Sequence, residues 1–435
     1  MYISYANIFF VSILYVFSIP VFEWYIGSIG NILINGLILL LYLIIILGIK
    51  DQTLKNIFND NNLSKISLLL FFYLLIIITS LFIGLFDIST NPILRDLYEL
   101  HKPILYLLII LLIYNVLIKS TNDLKLEKYL LTIFIIISII SLFQIMHFKQ
   151  IVLWYTALNI YESNRLTIPF GNPYDHAFVM LFFCIFFFFK YISGNYKYIF
   201  LFILSFYFFL ESGSRSVSLS FILSFAFFIP IIFLFSKYDF KKKIFYVFQI
   251  IGITIFSIYF YDFSDLLYEY RYVFKQFNQF LNQGDIGASG EWRIQQFLFV
   301  WERAISNPFL LIFGNGPGKA LSFEIIGQEL TYYLEHLESA PTYLLYRYGI
   351  IGVIIFTLIF YNLFKITFNN HMQLSKDNNL YLFNMAAMTF FLSIPICFVG
   401  GMYIEQPRVS FFFYMIVAFV LVINKTISQN KKISN

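Results

Sequence analysis

Arg215, Arg293 and Arg165, with Glu338 and His336, are the side chains in this 435-residue sequence best equipped for chemistry. A guanidinium is always charged and forks onto two phosphate or carboxylate oxygens, where an ammonium acts only as a point charge. A carboxylate or an imidazole nearby can take a proton from an attacking hydroxyl. Such groups are densest between Glu291 and Gly352, EWRIQQFLFVWERAISNPFLLIFGNGPGKALSFEIIGQELTYYLEHLESAPTYLLYRYGIIG. This stretch holds Arg293, Arg303 and Arg347, follows Arg271, and sets His336 between Glu335 and Glu338. Ser339 and Pro341 then open a helix, whose free N–H groups and positive dipole end favour an anion. A plain surface histidine in a long loop is the competing reading of His336.

Other catalytic patterns are missing from the sequence. Gly314 to Ala320 (GNGPGKA) looks like a phosphate loop, but it is one residue short and no Ser or Thr follows Lys319. There is no Asp-x-Asp and no histidine pair at metal-ligand spacing. A metal-independent reaction with no cofactor is expected, and no nucleic-acid partner. Cys184 and Cys397 fall within apolar runs, where a small buried hydrophobe is the ordinary role of cysteine.

The elements that must position these groups are membrane spans. A chain that is 60% hydrophobic, 22% aromatic and 12% charged is not soluble in composition. Apolar runs predict twelve spans, at 4–22, 27–49, 66–86, 103–118, 128–146, 176–190, 197–210, 216–236, 246–262, 341–362, 381–399 and 408–425. The first run lacks a cleavage-site pattern and reads as a span, not a removed signal. The chain thus divides into spans one to nine (1–262), one long loop (263–340), and spans ten to twelve with a tail (341–435). Seventeen lysines lie on the connections of one face, against Arg95, Lys102, Lys149, Arg165, Arg215 and Arg408 on the short connections of the other. The positive-inside rule makes the first face cytoplasmic, with both termini.

Every arginine falls outside that face, although lysine alone would set topology. Arginine outside therefore points to oxyanion binding in a partly dry place, with ordinary ion pairing as the competing reading. Two runs, Ala177 to Phe189 and Tyr198 to Leu210, are each about 20 Å long as helices, short of a hydrocarbon core of roughly 30 Å. Their outer ends, carrying Asp175, His176, Glu211, Ser212, Ser214 and Arg215, are expected to sit below the surface around a polar site. Arg165 to His176 (RLTIPFGNPYDH) makes a constrained approach to the first of them. In the long loop, apolar residues from Leu266 to Leu281 predict an amphipathic surface helix. A second stripe of Trp292, Phe297, Trp301, Ala304 and Ile305 leaves Arg293 and Gln296 on a face free to meet a ligand.

The Arg165…Asn172-Pro173 segment, the Ser214 to Ser216 turn, the Trp292-Arg293 to Gly352 block and the span pattern together resemble the bacterial O-antigen polymerase and ligase family. That resemblance implies an all-α polytopic membrane protein of the GT-C glycosyltransferase type, with a large helical extracytoplasmic loop. It also implies transfer of sugars at the periplasmic face of the bacterial inner membrane, from an undecaprenyl-diphosphate-linked oligosaccharide. Arg215, Arg293 and Arg165 would hold the diphosphate, with Glu211, Ser214, Asn172 and Arg408 in support. Glu338 stands where ligases of the family carry a histidine and His336 lies two residues early, which favours a polymerase and leaves the base open between them. Ligase and lipid-linked oligosaccharide flippase are the alternatives. A chain-length regulator and a flippase are the expected protein partners.

Overall fold

The computed structural model describes residues 5–20, 36, 39, 42–43, 55, 57, 59–86, 99–119, 126–155, 165–238, 245, 248–249, 252, 287–316, 320–325, 328–333, 337, 339–375 and 379–434. Its helices are α1 (Tyr5–Ser18), α2 (Asn61–Phe86), α3 (His101–Lys119), α4 (Leu126–Ile145), α5 (Pro173–Ile192), α6 (Tyr198–Glu211), α7 (Arg215–Leu234), α8 (Gly287–Ser306), α9 (Pro308–Phe313), α10 (Ala340–Gln373), α11 (Asn379–Cys397) and α12 (Pro407–Ser434). Among the described residues eight of these are long and apolar enough to cross a membrane, and α1 and α6 are shorter apolar helices. The chain is a multi-pass membrane protein. Of the twelve expected spans, 27–49 and 246–262 lie outside the described residues but for a few scattered positions, and the expected surface helix around 266–281 lies wholly outside them.

Burial divides the helices by depth in the bundle. Helix α5 is apolar around its whole circumference, and a helix of that kind belongs in the interior. Every residue from Ala177 to Phe189 is fully buried. Phe182 meets Phe186, Phe383, Phe390 and Phe412, and Phe183 meets Phe134, Phe187 and Phe412, so this phenylalanine run is the pillar against which α4, α11 and α12 pack. Helices α2 and α10 instead expose apolar faces (Leu68, Phe71 and Leu75; Ile350, Ile354 and Leu358), the pattern of lipid contact. Within α7, Ser224–Phe228 forms a π turn just ahead of Pro230, whose missing N–H cannot continue the regular ladder.

Three expectations need correction. Helix α5 is 20 residues long, about 30 Å, because Asn172 caps it and Pro173 starts it ahead of the apolar run; of this pair only α6, at 14 residues, is short. The long loop is not wholly helical: after α8 and α9 come antiparallel strands β1 (Ala320–Ile325) and β2 (Gln328–Tyr333), with Ala320 opposite Tyr333 and Ile325 opposite Gln328. Ile326-Gly327 stands between them in the sequence, a connection of hairpin length and composition. Helix α10 continues to Gln373 and is broken at Gly349 (φ 63°, ψ −166°).

Candidate functional site

The break in α10 explains the glycine-rich turn. A break frees backbone carbonyls, which must find donors inside a membrane protein. Asn315 N–H donates to Tyr346 O at 2.7 Å, Gly316 N–H to Arg347 O at 3.0 Å, and the Asn315 side-chain amide to Tyr346 O at 3.2 Å. Arg303 Nε donates to Asn315 Oδ1 at 3.2 Å, steadying that amide. Gly314 and Gly349 both have positive φ, and a Cβ on either would lie 2.3 and 2.4 Å from backbone atoms of Arg347 and Ile312 respectively. The turn thus serves as a backbone clip on α10, and it places Arg347 inside the bundle.

Arg347 meets Glu99, Lys102 and Glu405 there. Lys102 Nζ is 2.7 Å from Glu99 Oε2 and 3.0 Å from Glu405 Oε2, and Arg347 Nη1 is 3.5 Å from the first and 3.9 Å from the second. Tyr343 bridges Arg347 and Glu405 by hydrogen bonds, and the Tyr73 hydroxyl donates to Glu405 Oε1 at 3.2 Å. Two acids and two bases cancel, so the cluster is neutral while mostly buried. Burial opposes ionisation of Glu99, but Lys102 and Arg347 outweigh it and hold the carboxyl below its usual range. Sequence reading missed this cluster; its only signal was charge at the predicted outer ends of spans.

The Glu211 to Ser216 turn is held by its neighbours. Arg165 donates from Nε to Ser212 O (3.1 Å) and from Nη2 to Gly213 O (2.6 Å), with its guanidinium 4.9 Å from the Tyr174 ring centre. Gln144 fixes the segment that carries it, donating to Arg165 O and accepting from the N–H of Thr167 and of Ile168. His176 is buried between Ser141 Oγ (3.0 Å) and Ser212 Oγ (2.9 Å). Asn172 accepts from Tyr174 N–H at 2.9 Å as the cap of α5. Arg165 and Asn172 therefore shape the site through backbone contacts.

Tyr403, in the short 3₁₀ turn Tyr403–Glu405, ties the other parts together. Its hydroxyl lies 2.8 Å from Ser216 Oγ, beside Arg215; Gly400 allows this, since a Cβ there would sit 1.9 Å from Ser216 Oγ. Burial raises the Tyr403 phenol, the Ser216 bond opposes, Cys397 and Asp175 raise it further, and Arg293 lowers it. Of these groups, Ser216 is the one in hydrogen-bond contact with the hydroxyl. Arg215 and Arg293 are both half-buried.

Helix α8 presents Arg293 by an unexpected face. Gln296, Val300 and Ala304 are buried, whereas Phe297, Trp301 and Ile305 are exposed, so most of the expected apolar stripe points away from the protein. In a membrane protein that face suits lipid. Glu211 is half-buried; burial raises its carboxyl, and a hydrogen bond from Tyr207 partly offsets this. Arg408 donates to Ile19 O and lies 5.4 Å from the Tyr155 ring centre, so its contacts are with α1 and Tyr155. Glu338 and His336 lie outside the described residues. Their neighbour Ala340 donates from its N–H to Phe398 O at 2.9 Å, anchoring the start of α10 beside the segment that leads to Tyr403.

What these elements define is a multi-pass membrane protein with a polar, arginine-bearing end to its helical bundle. No family model matches the chain, and no curated protein matches it either.

Proposed function

We propose that the protein is an O-antigen polymerase, a metal-independent glycosyltransferase that moves a glycan from undecaprenyl diphosphate to the sugar hydroxyl of another lipid-linked repeat unit. Beyond the sequence resemblance, one observation supports the reading: Ser216, the residue after Arg215, hydrogen-bonds Tyr403, and the charge of Arg293, from the long loop, lowers the same phenol. Two half-buried guanidinium groups, Arg215 and Arg293, suit a diphosphate whose charge grows as the glycosidic bond breaks. Glu338 or His336 takes the acceptor proton. Ligation to lipid A core is the same chemistry with another acceptor. A flippase reading draws on the broken α10, since transporters bind at helix breaks; here the carbonyls of Tyr346 and Arg347 already have donors in Asn315 and Gly316.

The test is the lipopolysaccharide ladder of a deletion strain. A core capped by a single repeat unit supports polymerase. Loss of every repeat unit means ligase or flippase, and an unchanged ladder rejects all three.

A further inference from the structure

The turn that carries Arg215 is held from two sides and not from within. Ser214 occupies the cap position of α7 but makes no capping bond, so the first residues of the helix, Arg215 and Ser216, lack the local stop that keeps a helix end from fraying. Ahead of them Arg165 donates to Ser212 O and Gly213 O. Behind, Ser216 Oγ lies 2.8 Å from the Tyr403 hydroxyl. Arg215 stands between these two holds.

The second hold is itself braced along the 3₁₀ turn Tyr403–Glu405. The Tyr403 ring packs 5.5 Å from that of Phe178, and the Tyr106 hydroxyl donates to Ile404 O at 3.3 Å. Glu405 is fixed by Lys102 Nζ at 3.0 Å and by the Tyr73 hydroxyl at 3.2 Å. Gly400 keeps the space clear, since a Cβ there would lie 1.9 Å from Ser216 Oγ and 2.6 Å from the Tyr403 hydroxyl. A bond between two neutral hydroxyls adds little to stability, whereas a misplacement of about 1 Å at a reacting centre can cost roughly 10²-fold in rate. We propose that Tyr403 is a positioning residue: through Ser216 it sets where Arg215 stands against the carrier diphosphate, with the Glu405 end of its turn anchored in the ionic cluster. This rests on the glycosyltransferase reading above and adds to it the group that aims one of its arginines.

The experiment uses full-length protein in nanodiscs and the lipid-linked repeat unit extracted from a strain deleted for this chain. Tyr403→Phe keeps the ring and loses the hydroxyl; Ser216→Ala removes the partner at a half-buried position. Each should lower kcat about tenfold or more with KM little changed, because a diphosphate clamp acts as charge develops. The two combined should lose no more than either alone, since both remove one bond; losses that multiply overturn the proposal. A second readout needs no activity. Phenylglyoxal modification of Arg215, read by mass spectrometry, should rise severalfold in either variant while that of Arg303 holds. Unchanged Arg215 reactivity overturns the proposal, and should one variant not accumulate, the other decides. A lower melting temperature with kcat and Arg215 reactivity unaltered would leave Tyr403 a purely structural residue. Wild type that makes no polymer rejects the glycosyltransferase reading itself, a different failure, and Arg215 reactivity then still decides the tether.

Discussion

Arg165, Arg215 and Arg293 look alike in sequence and differ in what they touch. Arg165 spends two donors on the carbonyls of Ser212 and Gly213. Arg165→Lys should therefore lower the melting temperature of purified protein, because an ammonium cannot span both. Arg215→Lys and Arg293→Lys should leave melting unchanged and remove visible polymer at matched protein level, a loss of roughly 10²- to 10³-fold if each forks onto diphosphate. Full-length ladders from both strains would rule out the clamp. Glu99 gives a pH test. Its folded carboxyl is held below the ordinary value of about 4.3, so its contribution is present above that pH and fades as pH falls through the depressed value. Thermal stability in detergent should fall on acidification from pH 5 to pH 3. Glu99→Gln should flatten that slope and destabilise at pH 7 by about 3 to 5 kcal/mol, since it leaves Lys102 and Arg347 short of a partner. A slope unaltered by the substitution would place the titration elsewhere. The arginines were legible in the sequence because their type is unusual on that face. The ionic cluster was not: Lys102 and Glu405 are 303 positions apart, and only packing brings them together.

At the scale of elements, apolar run length announced most helices, because hydrocarbon thickness fixes how many residues a span needs. What run length misplaced were the ends. Helix α5 begins with polar residues, Asp175 and His176, which are buried by protein and so did not register in an apolar count. The stripe on α8 was read as core because apolar periodicity cannot tell lipid from protein. Gly314 and Gly349 were visible, but their purpose was not, since each makes room for backbone just ahead of the other, Arg347–Tyr348 and Ile312–Phe313. Gly314→Ala and Gly349→Ala should each prevent accumulation of folded protein, through both the positive φ and the backbone overlap. Gly194→Ala, at φ 104° with nothing within 4 Å, should cost only about 1 kcal/mol. Normal accumulation of all three, measured by fluorescence-detected gel filtration of tagged protein, would remove the clip from the account of folding.

For the molecule as a whole, the lysine asymmetry predicts an orientation that labelling tests. Cysteines placed in 263–340 should react with an impermeant maleimide on intact spheroplasts, and cysteines near Lys242 should react only after lysis; the reverse pattern would move the polar end to the cytoplasm. The outward-turned apolar face of α8 has a consequence of its own. Among the described residues, Phe297, Trp301 and Ile305 have no wall of protein over them, while Arg293 is half-buried. A carrier lipid could then slide in along the plane of the bilayer, its tail never meeting water, and supply would be set by molecules per unit area of membrane. Diluting the protein with more lipid at fixed bulk substrate would slow it, a dependence that a site opening straight upward to water does not share.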